Sequence, residues 1–259
     1  MPHRRPADRP RHRLLPLLLV ALLSPTGAQA IVDIEDAAVG RADAPFSAEV
    51  DLALRGASGN SERLGLSADL GMQWRRGPHQ TLLWLSYDYG SSRKVRDANR
   101  GFAHLRRRYH LSSRVALEGF GQWQRDEFAR LNRRILLGGG LRLTRAGQHL
   151  GIGAFHEEER ITPAAGDPQP PDSRLWRGNL YLALRRDEGG VLLGNTLYFQ
   201  PALRHSGDWR LLDEATATIP IAHRLALKMS LEIRQDHRPP QGVKPTDLRY
   251  TTALHLTLP

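Results

Sequence analysis

Cysteine is absent from this 259-residue sequence, which excludes disulfides, thiol catalysis and Cys-ligated metals. In a small exported domain built around a modest core the absence would be a mild surprise; in a closed barrel it is none. Long apolar runs are also missing. The longest apolar stretch, residues 14–23 (LLPLLLVALL), is ten residues, too short to cross a bilayer as a helix. Beyond Ile31 no run of about 20 apolar residues occurs, so no membrane helix is expected. Mean hydropathy is low, at −0.45. That does not exclude a membrane protein, because a transmembrane barrel shows lipid only every second residue.

What is present begins with the ends. MPHRRPADRPRHR is a basic opening, the ten-residue apolar core follows, and SPTGAQA places small residues at Ala28 and Ala30. This is the layout of a secretory signal peptide over residues 1–30. Removing its five Arg and one Asp takes the net charge from +10 to +6. A basic balance often signals nucleic acid, but an exported chain rarely meets any and these arginines are dispersed, so no nucleic-acid partner is expected. Residues 31–45 are acidic and small and read as a short N-terminal tail. The remaining residues, 46–259, form one domain.

That domain alternates. The stretch from Ser113 to Arg145 holds two runs separated by a charged break. In the first, Val115, Leu117, Gly119, Gly121 and Trp123 oppose Glu118, Phe120, Gln122 and Gln124. In the second, Ile135, Leu137, Gly139, Leu141 and Leu143 oppose Arg134, Leu136, Gly138, Gly140 and Arg142. Period two over about ten residues marks strands with one apolar and one polar face, and such lengths exceed the 5–6 residues typical of globular strands. They match the 9–11 that an oblique bilayer crossing needs. Twelve such runs follow one another, the ninth (about 191–202) and tenth (about 208–219) less regular than the others. Short connections follow the even runs and the longest, most polar ones follow odd runs, as at 160–172 and 235–246. Residues 90–99 read as a further long loop. Arg107 breaks the parity of its run, which implies either a β-bulge or a side chain snorkelling from a rim.

The fold expected is therefore all-β, a twelve-stranded antiparallel transmembrane β-barrel of outer-membrane type. The competing reading is a soluble periplasmic lipocalin-like barrel with the apolar parity packed inward. Strand length and aromatics near run ends (Trp74, Tyr89, Trp123, Trp176, Tyr250) favour the membrane version. The long loops would then lie outside the cell, with Arg93, Lys94, Arg96, Arg125, Arg130 and Arg238 facing lipopolysaccharide phosphates.

The hairpin EVDLALRGASGNSERLGLSADL and the segment GFAHLRRRYHLSSRVALEGFGQWQRDEFARLNRRILLGGGLRL resemble the YdiY-like family of salt-induced outer-membrane proteins, which carries domain of unknown function 481. The resemblance covers about residues 46–258. It implies an outer-membrane barrel and assigns no catalytic residues. It also implies outer-membrane lipids and the barrel-assembly machinery as partners. Barrel chains commonly finish on an aromatic residue, whereas this one finishes Leu258-Pro259.

No catalytic, cofactor or metal site emerges from the residues. His156-Glu157-Glu158-Glu159 lacks the two-histidine spacing of a zinc helix and reads as a solvated run at a strand end. His205-Ser206-Gly207-Asp208 suggests a lipid acyl hydrolase, the alternative function. Adjacent strand residues point opposite ways, so a turn is the better reading. Gly138–Gly140 has no following helix and is expected to kink the sheet rather than bind phosphate. What remains is the polar parity, with Arg106, Arg108, Arg134, Arg142, Arg177, Arg185, Arg224 and Lys228 as lumen-lining basic residues. They would line either a narrow hydrated, anion-favouring pore or a charge-paired plug in a structural, salt-stress barrel. The residues leave both open.

Overall fold

The computed structural model describes residues 44–58, 62–163, 165–166 and 170–258; the segment expected to be a signal peptide and almost all of the acidic tail lie outside them. Twelve strands follow in chain order: β1 (Phe46–Ala57), β2 (Arg63–Arg76), β3 (His79–Ser92), β4 (Val95–His110), β5 (Val115–Asp126), β6 (Leu131–Arg145), β7 (Gln148–Ile161), β8 (Asp172–Glu188), β9 (Val191–Pro201), β10 (Trp209–Ala222), β11 (Leu225–Asp236) and β12 (Thr246–Leu258). Each pairs antiparallel with its sequence neighbours. The sheet then closes where β1 meets β12, from Ala48 opposite Leu258 to Leu52 opposite Leu254. Closure matters physically because a barrel has no edge, so backbone donors and acceptors are satisfied without water.

The apolar parity faces outward. Leu54 and Leu137 are 75% and 69% exposed, while the opposite parity buries Glu49, Asp51, Arg106 and Arg108. This overturns the lipocalin-like alternative, which needs the reverse. On β2 the outward apolar positions run from Leu64 to Trp74. About ten residue steps of ~3.3 Å, tilted about 40°, give a band of roughly 25 Å, the height of an outer-membrane barrel's lipid-facing belt. Aromatic rings mark both borders. Phe46 meets Trp74 at 5.6 Å and His79 meets Tyr109 at 5.0 Å at one end. Tyr87, Trp123, Trp176 and Tyr250 stand exposed toward the other.

The two ends differ as the sequence implied. Two-residue turns close β2–β3 at Gly77 (φ 56°), β6–β7 at Ala146-Gly147 (φ 49° and 77°) and β8–β9 at Gly189-Gly190 (φ 63° and 87°). These left-handed conformations match the twist of a tight hairpin. The longest connections, 162–171 and 237–245, follow odd strands at the opposite end. Residues 90–99 are a correction. They form no loop: β3 and β4 continue to Ser92 and Val95 and turn through Arg93-Lys94, with φ of 50° and 63° and a bulge at Gly90/Ser91. Polar residues here extend a hairpin beyond the apolar band, where parity no longer needs hydrophobic residues to hold it. Arg107 pairs in register with Thr81 and Gly119, without a bulge, and projects outward near the turn end. It therefore follows the snorkelling reading.

Candidate functional site

Among the described residues the lumen is where ionisable side chains gather, and they come from alternate positions of nearly every strand. Toward the loop end, Glu157 of β7 is 1% exposed and stands at the centre of a guanidinium cluster. Arg177 of β8 donates its Nε–H to Glu157 at 3.1 Å, Arg210 of β10 donates through Nη1, and Arg134 of β6 lies 3.6 Å away. Arg134 Nε also donates to Glu159 at 2.8 Å, and Arg210 Nη2 to Glu159 at 3.0 Å. The outer arms are held in turn: Arg210 Nε on Asp236 at 2.9 Å, and Arg177 on both oxygens of Asp208 at 2.8 and 3.2 Å. Arg210 thus ties β10 to β7 across the lumen, while the pairs of β6 and β8 with β7, and of β10 with β11, join neighbouring strands. Charges withdrawn from water are stable only when paired and hydrogen-bonded in this way.

Below this layer the lumen is filled by rings and aliphatic side chains. Phe120, Leu136 and Phe155 pack together, as do Tyr181, Tyr198 and Leu212. The His104 ring lies stacked between Phe102 at 6.2 Å and Phe120 at 5.4 Å. Toward the turn end, Glu118 of β5 draws three arginines. Arg108 Nε donates at 2.5 Å, and Arg106 and Arg142 each lie 3.7 Å off. Tyr181 donates its hydroxyl to Glu118 at 2.7 Å and accepts from Arg142 at 3.0 Å. Across the barrel, Asp51 takes Lys228 at 3.1 Å and His255 at 2.5 Å.

Two of the cavities among the described residues bear on the lumen. One, of about 100 Å³, lies among Asp51, Asp69, Trp84, Asp88, Lys228 and Arg249. The other, about 480 Å³, opens among Phe46, Glu49, His223, Arg224, Lys228 and His255 at the turn end. Lys228 lines both.

Of the basic residues expected in the lumen, Arg106, Arg108, Arg134, Arg142 and Arg177 are buried there and Lys228 points in. Arg185 is half-buried at the turn end of β8, its backbone held by the Gln148 amide at 3.0 Å in both directions. Arg224 is a correction: it lies outside the strands in the β10–β11 turn, exposed at the mouth of the larger cavity. Glu157 and Glu159 are a second correction, since the run they belong to is not solvated. Only Glu158 and His156 face out, the latter against Trp176 at 5.5 Å. The parity of Phe155, Glu157 and Glu159 carried the signal that could have found them. Arg210 and Asp236 were missed as well. The expected basic excess is met by Asp88, Asp126, Glu157, Glu159, Glu214, Asp236 and Asp247, which bring the lumen close to charge balance.

The distribution is nonetheless polarised. Inward carboxylates dominate β1–β3 (Glu49, Asp51, Asp69, Asp88), and arginines dominate β4 and β6. His205-Ser206-Gly207-Asp208 forms a turn, closed by Asp208 N–H donating to the His205 carbonyl at 2.9 Å. Its aspartate serves Arg177.

The family model for a protein of unknown function, DUF481, matches residues 50–146 and 170–257. The chain belongs to the DUF481 family. No curated protein matches it in sequence. Among solved structures, it is similar to the translocator domain of the autotransporter NalP from Neisseria meningitidis. Identity is 10%, covering 83% of this chain and 87% of that one, with a TM-score of 0.46. It is also similar to the NanC porin, at 8% identity over 82% and 97% of the two chains with a TM-score of 0.48. The β domain of the Bordetella autotransporter BrkA aligns at 12% identity over 83% and 98%, with a TM-score of 0.37.

Proposed function

We propose that this DUF481 protein resides in a Gram-negative outer membrane as a narrow barrel, closed at rest by the ion-paired layer around Glu157. The observation that carries the reading is the set of guanidiniums from β6, β8 and β10 converging on one buried carboxylate of β7. Twelve strands enclose more space than an eight-stranded barrel fills with side chains, and less than a 16-stranded porin leaves open. In this lumen long arginines and carboxylates occupy the space and bridge it. Passage of a solute would require those pairs to part, so the barrel suits a gated or structural envelope role better than free diffusion. A part in salt stress, which the family resemblance implies, would draw on the same closed lumen.

Both termini face the periplasm in this reading, and the long loops face out. Arg93, Lys94 and Arg130 at that end then meet lipopolysaccharide phosphates, which guanidinium groups pair bidentately. Recovery with the outer-membrane fraction, and a gel mobility that changes on heating, are the expected results for residence. Recovery in the soluble periplasm would contradict it. Orientation has its own test. Ala165 is exposed in the β7–β8 connection, and the chain has no cysteine to interfere. Ala165→Cys should react with a membrane-impermeant maleimide on intact cells; labelling that appears only after lysis would reverse the orientation.

A further inference from the structure

The lipid-facing side of β9 and β10 departs from the rest of the exterior. Outward positions on β10 include Trp209, Leu211, Asp213, Ala215 and Ala217, alternating with buried Arg210, Leu212 and Thr216. Asp213 stands in register between Leu197 and Ile233, both exposed outward. It lies four residues along β10 from Trp209, which puts it about 10 Å inside the apolar band at ~3.3 Å per tilted residue. Among the described residues no other carboxylate faces outward between the two aromatic borders. Asn195 of β9, outward beside Leu184 and opposite Ala215, donates its amide to Asp213 Oδ1 at 2.7 Å, with a longer contact to the Glu214 carbonyl at 3.3 Å. Asp213 Oδ2 has no partner among the described residues. Polar groups facing hydrocarbon are costly unless another protein surface meets them.

We propose that this face docks a second copy of the chain. A two-fold axis along the membrane normal brings identical depths together. Asn195 and Asp213 of two copies therefore meet at one level, and an isologous contact requires such self-complementarity. The carboxylate has a second oxygen to accept, and the Asn195 N–H that leans on the Glu214 carbonyl at 3.3 Å can turn to it across the two-fold axis. Each Asn195 then bridges its own Asp213 and that of the other copy. Ala215 and Ala217 follow Asp213 on the same face and leave room for the two backbones to approach, as small residues do between membrane segments. A lipid tail offers no donor to Oδ2, and an unrelated protein would match its depth only by chance.

The inference rests on membrane residence, and its test separates the two. Single cysteines are placed at Ala215, at Ala217 and, on the opposite wall, at Leu105 of β4, and isolated outer membranes are oxidised with copper phenanthroline. Ala215→Cys or Ala217→Cys should yield a disulfide-linked product of twice the chain's mass, many-fold above Leu105→Cys. Adding Asp213→Leu to the Ala215→Cys chain should cut that yield several-fold. Equal yields at the two walls, or a product of any other mass, would overturn the dimer while leaving the membrane reading intact. Recovery of the chain outside the membrane would instead defeat the membrane reading. Heat-modifiable mobility establishes that each variant is folded, and the two alanine positions substitute for one another if one is not.

Discussion

Glu157→Gln is expected to cost the barrel about 3–5 kcal/mol, the range for breaking a buried ion pair from one side. Glutamine keeps the shape of the side chain and removes its charge. Arg134, Arg177 and Arg210 then repel one another across the space that the carboxylate had neutralised. Asp208, Asp236 and Glu159 still hold their outer arms, so the strands stay paired while the layer loosens. The measurement is the temperature, or denaturant concentration, at which the folded band converts to the unfolded one on a gel. Glu158→Gln is the control. Its side chain faces out, is 39% exposed and lies 3.5 Å from an Arg174 that is more exposed still, so its effect should stay below about 0.5 kcal/mol. Equal shifts for the two variants would mean that the lumen network does not hold the barrel closed.

The second large effect is expected at the β6–β7 seam. Gly140 and Gly153 sit directly opposite each other in register. A Cβ at Gly153 would fall 2.9 Å from the Gly140 Cα and against the Gly139 carbonyl oxygen. These are backbone atoms of the paired strand and cannot swing aside as a side-chain end can. Gly153→Val should therefore exceed the usual overpacking cost of about 1–3 kcal/mol and leave little heat-modifiable protein in the membrane. Gly121→Val is the matched control, because nothing stands within 4 Å of its added Cβ. A folded, normally stable Gly153→Val barrel would show that the close approach of the strands is not needed.

The glycine run illustrates how far the sequence could be read. Its presence in the middle of an alternating run marked an irregularity of the sheet, which a kink would explain. That the irregularity is two backbones in contact depends on Gly153 of the neighbouring strand, a pairing that becomes visible only with the register. The strand pattern itself was highly legible, because period-two alternation and the signs of the turns are local properties. The ninth and tenth runs were the exceptions. Asn195 and Asp213 interrupt their outward face, so the inward position of Arg210 could not be inferred from parity. The lumen basic residues were mostly recovered for the same local reason. The carboxylates that match them were not, since His156-Glu157-Glu158-Glu159 reads as one charged run unless its members are assigned to opposite faces. Cross-lumen partners such as Arg210 and Glu157 are 53 residues apart, and nothing local records that distance.

The central claim is that ion-paired side chains close the lumen, and its most direct test is a planar-bilayer recording of the purified protein beside its Glu157→Gln variant. The wild-type barrel should show no sustained channel steps, or only brief ones far smaller than those of an open 16-stranded porin in the same cell. The variant should open more often and to larger steps. Long-lived, porin-sized conductance from the wild-type chain, unchanged by removing the Glu157 charge, would contradict the account.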